Sequence, residues 1–132
     1  MKTSTEINPS AARSSEDRRP RFGIGHVSIT AADIDVMTDF YTAIGLRLVV
    51  NMGRASIVEL RGGTHLVMHS GEPGAASLDF IVDDIDETRA LLEANGASPS
   101  AIRRGNPHDS FTATDPEGNS LAVHSNHAIG EV

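Results

Sequence analysis

The chain repeats itself once. The order and type of the segments readable over residues 23–70 recur over residues 74–125, and a repeat of this kind constrains the architecture before any single residue does. In the first copy, residues 24–30 (IGHVSIT) alternate apolar and polar side chains as a strand does. The acidic start Asp33-Ile34-Asp35 then opens a helix. Its apolar positions Ile34, Met37, Phe40, Tyr41 and Ile44 fall three or four apart on one face, and Gly45 stops it. Three strands follow at about residues 46–52, 55–61 and 64–70, punctuated by Gly53 and the Gly62-Gly63 turn. The second copy offers a strand over residues 77–82, a helix over residues 84–95 stopped by Gly96, and three more strands.

Spacing supports the repeat. Asp83-Asp84-Ile85-Asp86 lies 51 positions after Ala32-Asp33-Ile34-Asp35, and Gly96 lies 51 after Gly45. The closing strands, His65-Leu66-Val67-Met68-His69-Ser70 and Ser120-Leu121-Ala122-Val123-His124-Ser125, stand 55 apart. The second copy therefore carries a longer connection around residues 99–109. Agreement of element order, helix stops and turn glycines argues against chance likeness between two amphipathic strands. The expected fold class is α+β: two tandem β-α-β-β-β units, residues 22–73 and 74–127 of one domain, with curved mixed sheets forming a cup and the helices outside. Residues 1–21, rich in Ser and Arg with hardly any apolar periodicity, cannot offset their ordering entropy by burial and are expected to be a disordered tail. Residues 128–132 make a short C-terminal tail.

Composition narrows the function classes. There is no cysteine, so disulfides, thiolate nucleophiles and sulfur-bound metals are excluded, and any metal must use His, Asp or Glu. A net charge of −7, with no Lys/Arg cluster in the body of the chain, argues against nucleic acid or an anionic membrane as partner. No apolar run approaches the roughly 20 residues that span a bilayer, and the N-terminus lacks the apolar core of a secretory signal. The expectation is a cytoplasmic protein that binds a small molecule.

Alternation divides each strand into two faces. Val27 and Ile29 oppose His26, Ser28 and Thr30; Leu78, Phe80 and Val82 oppose Ser77, Asp79 and Ile81. Leu66 and Met68, like Leu121 and Val123, make the apolar side of the closing strands. The other side gathers His26, Ser28, His65, His69, Ser77, Asp79, Ser120 and His124. A sheet backed by helices and polar on its other face is either a solvated surface or a concave ligand cup, and alternation alone leaves both readings open.

The segments GIGHVSITAADIDVMTDFYTAIGLRL, LDFIVDDIDETRALLEANGA and SFTATDPEGNSLAVHS carry a resemblance. Over residues 22–126 the chain resembles the vicinal-oxygen-chelate superfamily of glyoxalases, methylmalonyl-CoA epimerases, extradiol dioxygenases, fosfomycin-resistance enzymes and bleomycin-binding proteins. Its most specific pieces are the turn from Asp115 to Asn119 and the helix with Phe40-Tyr41 followed by Gly45-Leu46. The resemblance implies one divalent ion in the cup, held from the first and last strand of each unit. His26 occupies one such place; Ser77, Val67 and Ala122 stand at the other three, where the family usually has ligands.

His69 and His124 lie two residues beyond Val67 and Ala122, on the same faces. With His26 they compose a candidate displaced site for one divalent metal ion (Zn, Fe, Mn or Ni), with Asp79 or Glu59 as an oxygen ligand. Ser28, His65, Ser77, Asp79 and Ser120 are the candidate ligand-binding residues beside it. On this reading the protein is a small-molecule-binding, lyase- or dioxygenase-like member with a degenerate or displaced metal site. The alternative is a metal-independent protein that sequesters an antibiotic or metabolite and has no cofactor. The acidic balance suits a cationic guest, whereas the absence of Trp and the 4% aromatic content do not suit a stacked ring. Small members of the family usually pair, which implies a homodimer with the cup formed or capped at the contact.

No residue is assigned a catalytic role. Ser28, Ser77 and Ser120 show no nucleophile elbow. Arg103, Arg104 and His108 sit in the longer connection, either closing over an anionic group or simply solvated, and His127 falls in a fraying end.

Overall fold

The computed structural model describes residues 14–132. Residues 1–13, most of the expected N-terminal tail, lie outside the described residues, and residues 14–21 form a turn and bends without helix or strand. Nine elements follow. The first unit comprises β1 (His26–Ala31), α1 (Ile34–Ala43), β2 (Arg47–Asn51), β3 (Ala55–Glu59) and β4 (His65–Ser70). The second comprises β5 (Ser77–Val82), α2 (Ile85–Ala94), β6 (Ser110–Thr114) and β7 (Ser120–Ser125).

Both helices begin by the same device. The Asp33 carboxylate accepts the Val36 N–H at 3.0 Å and the Asp84 carboxylate accepts the Glu87 N–H at 2.9 Å, each satisfying a donor that the first helical turn leaves unpaired. Both end at a glycine with left-handed backbone, Gly45 at φ 114° and Gly96 at φ 78°. The repeated spacing read from the sequence is thus a repeat of caps and stops.

The strands make two open sheets, ordered β1-β4-β3-β2 and β5-β7-β6. In each, the first strand of the unit runs parallel to the last, and the remaining pairs are antiparallel. Alternation fell as expected: Ile29, Leu66, Met68, Leu78, Leu121 and Val123 are buried, and one apolar cluster runs through both units.

The second unit departs from the expected pattern. It has two strands after its helix instead of three. Between α2 and β6, where the first unit has β2, Ser98 takes φ 50° and Pro99 has no N–H to give a ladder. The segment touches β6 at isolated points. Ser100 N–H donates to Thr112 O at 2.8 Å, but the return bond from Thr112 N–H goes to the Ser100 hydroxyl at 3.0 Å, and Arg103 pairs with Ser110 as a lone bridge.

A buried carboxylate fastens the units together. Tyr41, fully buried on α1, donates its phenol O–H to Asp115 Oδ2 at 2.6 Å. The phenol is pushed well above its ordinary pKa, first by burial and then by this bond to the carboxylate. Two residues on, the Glu117 carboxylate accepts the Ala32 and Asp33 N–H groups at 2.8 and 2.7 Å, just ahead of α1. Replacing Tyr41 by Phe removes one hydrogen bond to a charged group in the core. We expect a loss of about 1.5–3 kcal/mol, read as a lower denaturant midpoint with unchanged m-value; a variant as stable as the parent would contradict this assignment.

Candidate functional site

Each sheet turns one polar face away from its helix. On the first, the parallel register sets His26 opposite His65, Ser28 opposite Val67 and Thr30 opposite His69. The antiparallel register adds Glu59 beside His65, Ile57 beside Val67 and Ala55 beside His69. His65 Nε2 stands 3.0 Å from Glu59 Oε1, and the rings of His26 and His65 meet edge to face at 5.7 Å between centroids. Glu59 also holds the Arg47 guanidinium. Its carboxyl is therefore kept below the usual carboxylate range, chiefly by the Arg47 bond and next by the His65 bond.

On the second sheet, Ser77 lies opposite Ser120, Asp79 opposite Ala122 and Ile81 opposite His124. The His124 ring leans back so that Nε2 is 3.2 Å from Asp79, while Nδ1 faces His108 Nδ1 at 3.3 Å. The expected ligand-binding residues thus fall into two groups: Ser28 and His65 on one sheet, Ser77, Asp79 and Ser120 on the other.

The three histidines of the expected displaced site are spread over the molecule. His26 stands level with His65, not with His69, which is four residues further along β4 and so about 13 Å away along the strand direction. His124 belongs to the other sheet. At the four family metal places, only His26 carries a strong donor. Val67 and Ala122 have no side-chain ligand atom, and Ser77 offers a neutral hydroxyl. Among the described residues no three His, Asp or Glu side chains are grouped to hold an ion. The side chains present therefore do not fit the family's metal at its usual place.

Two clefts lie between the units, and only the second reaches the polar face. One, of about 260 Å³, is lined by Ile44, Leu46, Phe80, Val82 and Leu92. Another, of about 320 Å³, runs from Ile24 and Val27 to Leu78, with Ser77 and Asp79 among its walls. The first is largely apolar, and the charged groups on its wall, Arg61 and Asp83, are paired with each other at 2.5 Å.

The longer connection is more structured than its composition suggested. Arg104 spans Asp86 on α2 at 2.7 Å and Asp109 at 3.1 Å. Asp109 in turn is joined to Ser125 by two bonds: its N–H donates to the Ser125 hydroxyl and its carbonyl accepts the Ser125 N–H, both at 2.9 Å. These links carry His108 onto His124. Glu59, named from the sequence as a possible oxygen ligand, stands beside His65, whereas His108, placed only in the longer connection, is the neighbour that sequence reasoning did not bring to the site. For His108 the available signal was the four-residue excess of the second copy, which sits around it.

The glyoxalase-like domain family matches residues 26–124, and the chain belongs to that family. No curated protein matches the sequence. Among solved structures, lactoylglutathione lyase from Agrobacterium tumefaciens is 23% identical with a TM-score of 0.70, over 86% of this chain and 100% of that one. TnmS3, an antibiotic binding protein from Streptomyces sp. CB03234, is 23% identical with a TM-score of 0.71, over 82% and 98%. Oxidase ChaP-H2 is 19% identical with a TM-score of 0.70, over 81% and 95%. At these identities the likeness is one of fold. No helix among the described residues is long and apolar enough to cross a membrane.

The tether of the long connection has a defined pH dependence. Asp109 is held below its ordinary pKa, first by the Gly105 N–H and next by Arg104. A carboxylate lowered on folding contributes above its unfolded pKa, and that contribution is lost as pH falls through the folded value. The carboxyl ¹³C signal of Asp109 should accordingly titrate with a midpoint below about 3.9. A midpoint above that value would mean the tether does not form in solution.

Proposed function

We propose that the chain is a small-molecule-binding member of the glyoxalase-like domain family that works without a metal at the family's usual place. The observation that carries this reading is the donor set. Three of the four family ligand positions, Val67, Ser77 and Ala122, cannot hold a divalent ion, while the faces around them keep hydroxyl, imidazole and carboxylate groups. A Zn, Fe, Mn or Ni ion shared by His26, His69 and His124 is not part of the proposal, because the register separates the first two and the third lies on another sheet. Binding of an antibiotic, stated for TnmS3, agrees with this choice.

The guest is polar and cationic. Asp79 is well exposed on the second face, the side chain being 68% accessible, and Ser77 and Ser120 flank it. Stacking contributes little, since Phe40 and Phe111 are buried in the core and Phe22 stands outside the strands. Hydrogen bonds from Ser28, His65, Ser77 and Ser120, with the Asp79 charge, supply the recognition.

A homodimer completes the cup. The two faces belong to separate sheets, and β1 and β5 are each an edge strand whose outer backbone groups are unpaired with any described strand. Pairing of β1 with β5 of a second copy joins a first-unit face to a second-unit face. The outer strand β2 leaves Leu48, Val49 and Val50 half exposed, further apolar surface for association. The assembly acts in the cytoplasm.

Chelator-treated protein is to be titrated with a panel of small amines and polyols while backbone amide shifts are followed. Shifts should gather on Ser28, His65, Ser77, Asp79 and Ser120, and Asp79→Asn should weaken the amines by up to about fivefold, the worth of an exposed charge pair. Shifts confined to the cleft of Ile44, Leu46 and Leu92, or a strictly monomeric chain by sedimentation, would overturn the reading.

A further inference from the structure

Three imidazoles gather at one end of the second sheet, outside the places where the family holds its ion. His124 Nδ1 and His108 Nδ1 face one another at 3.3 Å, with ring centroids 4.4 Å apart. The His127 ring stands 5.0 Å from that of His108. Behind His124, its other ring nitrogen lies 3.2 Å from Asp79.

We propose that His108, His124 and His127 form a binding site for one imidazole-preferring divalent ion such as Zn²⁺, with Asp79 fixing His124 from behind. The first argument is distance. Zinc binds imidazole nitrogen at about 2.0–2.1 Å in tetrahedral geometry, which puts two of its nitrogen ligands about 3.3 Å apart. The observed Nδ1 separation equals that edge, so the pair is spaced for one ion once both rings turn their lone pairs to a common point.

The second argument is the tautomer. A His124 that donates Nε2–H to Asp79 presents an unprotonated Nδ1 to its other neighbour, and a carboxylate behind a ligating imidazole is the usual outer partner of a metal site. Without an ion, His108 donates Nδ1–H to that nitrogen. With one, His108 carries its proton on Nε2 and both Nδ1 lone pairs face the ion. A lone imidazole pair needs neither a carboxylate behind it nor a third imidazole at its side.

The third argument is delivery. His108 is seated by the two bonds between Asp109 and Ser125. His127 follows Asn126, which is pinned to the end of β5 by its N–H on the Val82 carbonyl at 2.9 Å and by its side-chain amide on Asp83 at 3.2 Å. Two anchored segments thus bring His108 to His124, on β7, and His127 to His108. As the chain stands no three donors converge on one point; the exposed His127 ring must turn toward the pair to close the site. Three protein ligands leave a fourth position for water or a ligand atom. The site does not depend on the small-molecule reading, and its loss leaves that reading intact.

Chelator-treated full chain is to be titrated with Co²⁺, followed by visible absorption, and then with Zn²⁺ as competitor. About one Co²⁺ per chain is expected, with the intense band of a tetrahedral nitrogen-rich site that Zn²⁺ abolishes. His108→Ala, His124→Ala and His127→Ala should each lose the band, and Asp79→Asn should weaken binding by about 10- to 100-fold. His26→Ala and His69→Ala should bind as the parent does. Thermal melts of every variant without metal identify any that fails to fold, and for such a position Gln replaces Ala. Absence of binding by the parent, any of the three site variants binding like it, or loss of the ion in His26→Ala would overturn the proposal.

Discussion

Asp115 is a buried carboxylate to which both units are tied. One oxygen accepts the backbone N–H groups of Glu117 and Asn119; the other accepts the Tyr41 phenol and the Asn119 side-chain amide. Asn119, itself fully buried, passes the constraint on by accepting the Ala76 N–H at 2.8 Å at the entry to β5. A charge in the interior is tolerated only when its acceptor capacity is filled, and here four donors fill it. The same turn aims Glu117 at the start of α1. The β6–β7 turn of one unit thereby organises the helix of the other. Without it two small open sheets, each with one helix, would keep their relative position by the shared apolar cluster and the exposed Arg61–Asp83 pair.

That node explains why the most specific pieces of the resemblance were the turn from Asp115 to Asn119 and the Phe40-Tyr41 pair. They are two ends of one interaction. The helices, their acidic starts and glycine stops and the facing of β1, β4, β5 and β7 were legible for a local reason: Asp before an apolar stripe, Gly after it and period-two alternation act within a few residues. The loss of a strand from the second unit was not legible, because the longer connection around residues 99–109 was expected in addition to three strands and not in place of a strand. Only the left-handed Ser98, the absent N–H of Pro99 and the side-chain substitution by Ser100 decide against it.

The site was legible by face and not by position. Alternation put His26, His65 and His69 on one surface correctly, but which of them stand level depends on the parallel register of β1 and β4, and that pairing is set by the crossover through α1. Periodicity within a strand says nothing about the neighbour's offset. Nor does it say that the two polar faces belong to separate sheets of the chain. The chemistry at matched positions was readable directly, since Val67 and Ala122 lack ligand atoms in any register.

The two units differ most between helix and sheet. In the first, a short path links helix to sheet, and the polar face is closed by Arg47, Glu59 and His65 satisfying one another. In the second, a path four residues longer surrenders a strand and gains a tethered loop that carries His108 across the end of β7. A strand there would have spent its backbone groups on β6 and pointed its side chains to fixed faces. The loop, held through Arg104, Asp109 and Ser125, places an imidazole beside His124, which a continued ladder on β6 would not supply. A lyase, an oxidase and an antibiotic binding protein share this fold, so the fold does not by itself set the function. What this chain does with the scaffold depends on where its duplicated halves stopped being alike.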